Sequence, residues 1–196
     1  MFITFEGPDG SGKSTQIALL SERLRAAGRE VLTVREPGGT PAGERIRALL
    51  LGEDGAVEIN PRADALLFNA SRSQLVTEVI RPALARGTTV IADRFADSTL
   101  AYQGYGSGLP LEELRAVISF ATAGLTPDLT VLLDLPAEEG LARKSGAGRT
   151  RFEEGFDADF HSRVAEGFRM LAAAASARCS SPSKGQTDQG SPPKSP

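Results

Sequence analysis

Cysteine is almost absent from the sequence, since Cys179 is the single example among 196 residues. A lone cysteine excludes an intramolecular disulfide and is typical of a reducing compartment. Long apolar runs are missing too, because no window approaches the ~18 consecutive apolar residues of a membrane-spanning helix. The sequence opens on an apolar, strand-like run rather than on a basic leader with a cleavage site. These absences predict a cytoplasmic protein with no membrane partner.

An excess of basic charge is also absent. Lys and Arg number 22 and Asp and Glu number 25, so the net charge is −3 and no global positive field argues for a nucleic-acid partner. The positive charge is mostly arginine, a residue suited to bidentate phosphate contacts. The length and the apolar fraction of 40% allow one globular domain with a substantial core.

Short β-branched runs alternate along the chain with apolar residues at helical spacing. The runs MFITFEG, REVLTVRE, GTTVIADR and PDLTVLLDL are typical of buried strands. This alternation predicts an α/β fold, with a mainly parallel sheet covered by helices on both faces. Ligands of such sheets bind beyond the carboxyl ends of the strands, where the informative residues of this sequence stand.

Turn and capping residues predict where several helices begin and end. Gly28 is placed to end the first helix in a left-handed conformation. Asn60 and Pro61 are typical of an N-cap and a first helical position, and open a segment running toward Arg86. Pro82 falls inside that segment and predicts a kink or a break.

The last residues differ in composition from the rest. Residues 179–196 contain four prolines, five serines and no large apolar side chain. Such a stretch buries too little surface to offset the entropy of ordering it, so we expect a disordered tail. The globular domain is predicted to span residues 1–178.

The stretch FEGPDGSGKST, residues 5–15, carries the clearest chemistry. It matches the phosphate-loop pattern G-x-x-x-x-G-K-[ST] between an apolar strand and an amphipathic helix. Its glycines let backbone N–H groups face an anion, Lys13 reaches the phosphates and Ser14 is placed for magnesium. The predicted ATP-binding residues are Gly7, Pro8, Asp9, Gly10, Ser11, Gly12, Lys13, Ser14 and Thr15. The loop alone does not distinguish a switch, a motor and a kinase.

Two classes of phosphate-loop protein then compete. A GTPase-type switch usually carries an N-K-x-D motif at a strand end, and this sequence has none. The strand TVIADR ends instead in Asp93 and Arg94, a pair that suits the acceptor site of a phosphoryl-transfer enzyme better.

The order of five motifs resembles that of thymidylate kinases: FEGPDGSGKST, REPGGT, LLFNASRSQLV, ADRFADSTLAYQG and PDLTVLLDL. The resemblance extends from Phe2 to about Ala173. It implies the nucleoside monophosphate kinase variety of the phosphate-loop fold and a homodimer. The implied reaction converts ATP and dTMP to ADP and dTDP with Mg²⁺ as cofactor, for dTTP synthesis.

The resemblance also implies roles for the Asp-Arg pair. Arg94 resembles the arginine that lies between donor and acceptor phosphates and neutralises the charge of the transferring group. Asp93 is placed near magnesium, although a structural partnership with Arg94 is the alternative.

Phe68 and Arg72 are four residues apart, so a helix presents them on one face. Taken alone, Phe68 would be a core residue and Arg72 a solvated charge. The resemblance implies that Phe68 stacks on thymine and that Arg72 donates to a base carbonyl. Cytosine presents an amino donor there, so Arg72 should select against dCMP.

Other dTMP contacts are implied by resemblance. Ser98 and Gln103 help line the base pocket, and Tyr102 crowds the sugar 2′ position and disfavours ribose. Arg35 comes within reach of the acceptor phosphate, and Pro37 shapes that wall through a cis peptide bond.

Asp9 is placed to face magnesium or the deoxyribose 3′-hydroxyl. The following residue is Gly10, where some thymidylate kinases carry a catalytic arginine, so this sequence resembles those with the arginine in a lid. We predict the lid at about residues 143–153, with the basic residues Arg143, Lys144, Arg149 and Arg151. A charge run alone is more typical of a solvated surface. Arg149 is favoured as catalytic, with Arg143 and Arg151 as alternatives.

The carboxyl-terminal region departs from the family pattern. Family members normally continue past RVAEGFRMLAAAA into a fifth strand and a final helix, where this sequence turns to the Ser/Pro-rich tail. Such a loss would leave one sheet edge unpaired. A non-catalytic or unstable kinase is therefore a third alternative.

Overall fold

A computed structural model describes residues 1–52, 55, 57–143 and 156–179. The strands are β1 (Phe2–Glu6), β2 (Val31–Arg35), β3 (Thr89–Asp93) and β4 (Leu129–Leu132). The helices are α1 (Lys13–Ala26), α2 (Pro41–Leu51), α3 (Pro61–Leu75), α4 (Arg81–Ala85), α5 (Ala96–Thr99), α6 (Leu111–Thr122), α7 (Ala137–Arg143) and α8 (Ala158–Cys179). Two π-helical segments, Val76–Ile80 and Leu100–Gly106, follow α3 and α5. Of the predicted disordered tail, residues 179–196, Cys179 is instead the last residue of α8, and residues 180–196 lie outside the described residues.

The four strands form one parallel sheet in the order β2-β3-β1-β4, which confirms the predicted fold class. The central strands β1 and β3 are buried almost throughout. The prediction of four buried strands is wrong for β2 and β4, whose residues are half-buried or exposed. Both strands lie at sheet edges. Among the described residues, β4 pairs with β1 alone, and Leu129 on it is 48% exposed.

Alternation along β1 and β3 sends side chains to two separate cores. Ile3, Phe5 and Ile91 pack with Ile17 of α1 on one face. The opposite face packs against the end of α3 and the segments that follow it, through Phe2, Leu75, Val76, Ile80, Ala83, Val90, Ala92 and Phe95. Helices therefore cover both faces, as predicted.

The segment from α3 to α4 is helical throughout, but Val76–Ile80 is π-helical between the two α-helices. Asn60 caps α3 as predicted, because its Oδ1 accepts from the N–H groups of Arg62 and Ala63. The predicted disturbance lies before Pro82 rather than at it: Arg81 N–H reaches back five residues to the Val76 carbonyl. This wider turn lets the helix continue into Pro82, which supplies no N–H of its own.

A third core joins α3, α6, α8 and the Leu100–Gly106 segment, through residues that include Tyr102, Leu114, Phe160, Val164 and Phe168. It fixes the Leu100–Gly106 segment beside the end of β3, where the site lies. No helix within the described ranges is both long and apolar enough to cross a membrane.

Candidate active site

A cleft of about 560 Å³ opens beyond the carboxyl ends of the strands. It brings together most of the predicted residues, namely Asp9, Gly10, Gly12, Lys13, Ser14, Thr15, Arg35, Pro37, Phe68, Arg72, Asp93, Arg94, Ser98, Tyr102, Gln103 and Arg143. The remaining loop residues Gly7, Pro8 and Ser11 lie beside it and contribute backbone and hydroxyl contacts. The cleft is where a parallel sheet is expected to bind its ligand.

The phosphate loop curls around the side chain of Lys13. Lys13 Nζ donates to the carbonyls of Gly7 and Pro8, at 3.1 and 2.9 Å, and approaches the Ser11 hydroxyl at 3.4 Å. Burial, with a smaller contribution from the nearby Arg94, lowers the pKa of Lys13 to about 7. The start of α1 follows directly, so the loop ends at a helix N-terminus suited to anions.

Gly10 occupies the phosphate-loop position at which a catalytic arginine would have stood. Its φ is +76°, and a Cβ there would overlap the backbone of Gly140 in α7. The reverse also holds, because a Cβ on Gly140 would overlap the Asp9 carbonyl. A side chain at position 10 is therefore incompatible with the packing of α7 on the loop in this conformation.

The two predicted metal ligands face each other across the cleft floor. The Ser14 hydroxyl donates to Asp93 Oδ2 at 2.9 Å, which joins the start of α1 to the end of β3. A hydroxyl and a carboxylate are the hard oxygen donors that Mg²⁺ uses beside substrate phosphates and waters. The residues present therefore fit this cofactor.

Arg94 connects the two halves of the cleft. Its Nη1 donates to the Gly7 carbonyl and to Ser98 Oγ, both at 3.1 Å. Its Nη2 donates to Asp9 Oδ1 at 2.8 Å and to the Tyr102 hydroxyl at 3.2 Å. Tyr102 in turn donates to Asp9 Oδ2 at 2.6 Å. One guanidinium thus contacts the phosphate loop, α5 and the Leu100–Gly106 segment.

The backbone of Arg94 is unusual for an arginine, with φ of +72°. Non-glycine residues in this region store strain and are concentrated at functional sites. Burial by itself lowers the pKa of Arg94, but interactions with Tyr102 and Asp9 outweigh it and leave the pKa above its ordinary value. The side chain is a permanent cation in a largely buried position.

Arg72 is almost fully buried and paired with Glu36. Its Nε donates to Glu36 Oε2 at 2.9 Å, and its other nitrogens donate to Asn69 Oδ1 and to the Phe95 carbonyl. Burial raises the pKa of Glu36, although the charge of Arg72 opposes the shift. Nη1 carries two protons, so it has one beyond the proton donated to Asn69.

Phe68 and Gln103 form the wall beside Arg72. Phe68 is half-buried and lies one helical turn before Arg72 on α3, as the spacing predicts. Gln103 Nε2 donates to the buried carboxylate of Asp64 at 2.9 Å. Because a carboxylate only accepts, this contact assigns the amide orientation and leaves the Gln103 oxygen as an acceptor for ligands.

The cleft is positive although the chain is acidic overall. Six basic side chains line it, Lys13, Arg35, Arg47, Arg72, Arg94 and Arg143, against the three acidic side chains Asp9, Glu36 and Asp93. A cleft of this polarity concentrates anionic ligands such as nucleotides.

Comparison with known proteins gives a consistent picture. A family model described as thymidylate kinase matches residues 5–184. The thymidylate kinase of Deinococcus radiodurans is 56% identical over 172 residues, which cover 88% of this chain and 82% of the relative. That of an Exiguobacterium species is 51% identical, over 87% of this chain and 80% of the relative. The chain belongs to the thymidylate kinase family.

A solved structure agrees with this membership. The crystal structure of the thymidylate kinase from Ehrlichia chaffeensis superposes with a TM-score of 0.74 at 35% identity, covering 90% of this chain and 88% of that one. The chain is an enzyme that transfers a phosphoryl group from ATP to dTMP and forms ADP and dTDP. The GTPase-type switch and the non-catalytic protein find no support in these comparisons.

The REPGGT motif begins at Arg35, the last residue of β2 in the kinase, and shapes one end of the cleft. The Glu36–Pro37 peptide bond is cis, as the family resemblance implied. Arg35 Nη2 pairs with Glu44 Oε2 at 3.0 Å, and Glu44 also accepts from Gly39 N–H. The Arg35 side chain is 54% exposed and lies at the cleft rim.

Only part of the predicted lid is described. Arg143, at the end of α7, lines the cleft and pairs with Glu139 at 3.7 Å. Lys144, Arg149 and Arg151 lie outside the described residues, so the choice between Arg143, Arg149 and Arg151 stays open.

Sequence reasoning missed several residues of the kinase's site. Glu36 and Glu6 stand inside quoted motifs, and a carboxylate at the end of an apolar strand is a signal that could have identified them. Arg47 and Leu51 line the cleft from one face of α2. Their spacing of four residues, which places them on the same face of a helix, is the signal that could have identified them. Asp64 gave no signal, because its partner Gln103 is 39 residues away.

Proposed function

We propose that ATP lies on the phosphate loop and that dTMP lies between α3 and the Leu100–Gly106 segment, with their phosphates meeting at Arg94. The observation that carries this assignment is the position of the Arg94 guanidinium, which contacts Gly7 and Asp9 of the loop and Tyr102 of the opposite wall. A cation at this junction attracts phosphates from both sides.

On the donor side, Lys13 is proposed to release the loop carbonyls and bind the phosphates of ATP. Backbone N–H groups of the loop and of the start of α1 donate hydrogen bonds to the remaining phosphate oxygens. Ser14 and Asp93 would hold Mg²⁺, which when bound supplies positive charge to the phosphate oxygens of the donor.

In the transfer step, an oxygen of the dTMP phosphate forms a bond to the γ-phosphorus of ATP. The bond from that phosphorus to the β-phosphate oxygen breaks, and ADP leaves with the electron pair. The attacking oxygen is already anionic, so no general base is needed. Arg94 and a lid arginine neutralise charge on the transferring group, and such an arginine is worth about 10³–10⁵-fold in rate.

The base is proposed to stack on Phe68, with its carbonyl oxygen accepting from Arg72 and its N3–H donating to the Gln103 amide oxygen. Stacking of a base on an aromatic ring contributes about 1–3 kcal/mol. Cytosine has an acceptor at N3 and an amino donor at C4, so it mismatches both polar side chains.

The sugar and acceptor phosphate are proposed to contact the residues around Arg94. Tyr102 crowds the 2′ position, Asp9 faces the 3′-hydroxyl and Ser98 supports this end of the base pocket. Arg35, Pro37 and Arg94 surround the acceptor phosphate, with charge supplied by the two arginines.

The enzyme is also proposed to be a homodimer formed through α3 and α6. An ion pair between Arg62 and Glu113, 2.9 Å apart, links these helices, and their outer surface carries Phe120 at 90% exposure and Leu66 at 58%. Large exposed apolar side chains are typical of interfaces. Sedimentation should give a dimer, and Phe120→Glu should shift it toward monomer; a monomeric parent would contradict this arrangement.

The single cysteine fits the cytoplasm as the predicted location.

The substrate assignment is tested by ADP release from ATP with dTMP, dCMP and AMP as acceptors. We expect dTMP to give the highest kcat/KM. A preference for dCMP or AMP would contradict the assignment, and GTP hydrolysis independent of any acceptor would favour a switch.

The assignment of Arg94 is tested with Arg94→Ala, which should lower kcat by about 10³-fold or more. The matched control is Arg25→Ala, which removes an exposed arginine whose Nη2 donates to the Val31 carbonyl, at the end of β2 far from the cleft. Equal activity of the two variants would contradict the central role of Arg94.

A further inference from the structure

Glu6 is a buried carboxylate to which the proposed mechanism gives no task. It is the last residue of β1, directly before the phosphate loop, and only 1% of it is exposed. Its Oε1 accepts from the Phe95 N–H at 2.9 Å, and its Oε2 accepts from the Ser98 hydroxyl at 2.6 Å. Burying a carboxylate is costly unless its oxygens are well bonded. Both oxygens here are used on the segment that follows β3.

Both donors to Glu6 belong to the segment that directly follows Arg94. Phe95 is the residue after Arg94, so its N–H belongs to the peptide that sets the direction of the chain leaving Arg94. Ser98 stands four residues after Arg94, and its Oγ accepts from Arg94 Nη1 at 3.1 Å. A continuous chain of hydrogen bonds therefore runs from Glu6 through Ser98 to the guanidinium.

The backbone at Arg94 needs such support. Its φ of +72° is a left-handed conformation that side chains other than glycine rarely adopt. The Arg94 N–H is held by the Phe5 carbonyl at 3.0 Å, and the next N–H is held by Glu6. Two successive residues of β1 thus hold two successive N–H groups at the turn.

The chemistry of Glu6 also orients Ser98. When Glu6 is ionised its carboxylate only accepts, so Oε2 accepts the hydrogen bond of the Ser98 hydroxyl and the Ser98 oxygen lone pairs are left for Arg94. A glutamine presents one acceptor and one NH₂ group, so it cannot serve the Phe95 N–H and the Ser98 hydroxyl in the same way.

We propose that Glu6 is a positioning residue for phosphoryl transfer: it holds the turn after β3 and the Ser98 hydroxyl so that Arg94 lies at the junction of the two substrates. This inference rests on the proposed role of Arg94. Glu6 touches neither substrate and acts through the arginine, so its loss lowers kcat while the ATP-binding loop stays in place.

The first test compares Glu6→Gln, Glu6→Ala and Ser98→Ala with the parent enzyme. Misplacement by about 1 Å costs up to about 10²-fold in rate, so we expect kcat to fall about tenfold in Glu6→Gln and about 10²-fold in Glu6→Ala. KM for ATP should change less than threefold. General destabilisation of the protein does not produce a loss of kcat of this size with KM for ATP nearly constant. Unchanged kcat in Glu6→Gln and Ser98→Ala would overturn the proposal.

The matched control is Thr4→Val. Thr4 lies two residues earlier on the same face of β1 and is equally buried, but its hydroxyl donates to Thr130 Oγ1, away from the cleft. We expect Thr4→Val to lower the melting temperature and to retain kcat. A similar loss of kcat in Thr4→Val and Glu6→Gln, at equal melting temperatures, would assign Glu6 a merely structural role and overturn the proposal.

The second test places Glu6→Gln in the Arg94→Ala background. If Glu6 acts through Arg94, the substitution should lower kcat no further there, whereas independent residues would give additive losses. Additive losses would overturn this inference and leave the role of Arg94 intact. Wild-type activity of Arg94→Ala would instead overturn the proposed function, so the two failures are distinguishable. Should Glu6→Ala not fold, the Glu6→Gln and Ser98→Ala arms decide the question.

Discussion

Arg72 Nη2 lies 2.7 Å from Glu36 Oε2, and the two side chains are only 1% and 3% exposed. The pair joins α3 to the loop after β2, so the residue proposed to recognise the base is also a structural element of the cleft. Desolvation makes such a pair a modest source of net stability, but removal of one partner leaves an uncompensated buried charge.

Loss of Arg72 should therefore destabilise the protein strongly. We expect Arg72→Met to lower the free energy of unfolding by about 3–5 kcal/mol. Adding Glu36→Gln to this variant should restore part of the loss, because the orphaned carboxylate is then neutral. Urea denaturation measures both effects. The control is Arg169→Met, which breaks a 3.1 Å pair with Asp134 whose side chains are 43% and 51% exposed, and which should cost at most about 1 kcal/mol. Equal costs at the two positions would contradict the burial argument.

Arg72 should also determine the choice of base. In Arg72→Ala, we expect the ratio of kcat/KM for dTMP over dCMP to fall at least about tenfold, since the mismatched donor no longer meets cytosine. Taking the ratio within one variant cancels any change in the folded fraction. ATP affinity should change less than this ratio. Equal loss for both acceptors would show that Arg72 acts through stability alone.

Local spacing was sufficient to predict the phosphate loop and the shared face of Phe68 and Arg72, because residues a few positions apart determine both. The partners that hold these residues come from distant parts of the chain. Glu36 lies 36 residues from Arg72, and Glu6 lies 92 residues from Ser98. The order of the strands in the sheet determines which distant residues meet. It also explains the exposure of β4, whose apolar sequence predicts burial but whose position at the sheet edge leaves its residues half-buried or exposed.

Tyr102 should discriminate between deoxyribose and ribose through its ring rather than its hydroxyl. The ring packs over the Arg94 guanidinium, 5.1 Å from its carbon, and against the core that contains Phe168. We expect Tyr102→Phe to keep the preference for dTMP over its ribose analogue, and Tyr102→Leu to lower that preference about tenfold, as expected for lost van der Waals exclusion. Ratios of kcat/KM for the two acceptors measure this. Equal ratios in both variants would place the discrimination elsewhere.

Binding of ATP should be accompanied by proton uptake at Lys13. Burial lowers the pKa of Lys13 to about 7, so at pH 8 a large fraction of the amine is neutral. Phosphate oxygens at the amine favour the charged form and raise this pKa, which draws a proton from solvent. Calorimetry in buffers of different ionisation enthalpy should show net uptake at pH 8. The matched variant Lys13→Arg keeps the charge at all pH values and should lose this uptake; the same proton number in both proteins would contradict the assignment.

Glu6 should make the stability of the protein fall between about pH 5 and 7. Burial, with the nearby charge of Asp97, raises the pKa of Glu6 from 4.5 to about 7, although Ser98 and Arg94 oppose the shift. In that window the folded protein keeps a proton that the unfolded chain has released. The free energy of unfolding therefore decreases as pH rises, and the effect is complete above the folded pKa.

Glu6→Gln has no group that titrates at this position, so the pH dependence separates it from the parent. Relative to the parent, we expect its free energy of unfolding to improve by on the order of 3 kcal/mol between pH 5 and pH 8, even if its catalytic rate is lower. Urea denaturation across this range gives the difference at each pH, and groups that titrate equally in both proteins cancel. Glu22→Gln, at an exposed position of α1, should give a difference that is flat with pH. A flat difference for Glu6→Gln as well would show that the carboxylate stays ionised in the fold, held by Ser98 and the Phe95 N–H more strongly than burial opposes it.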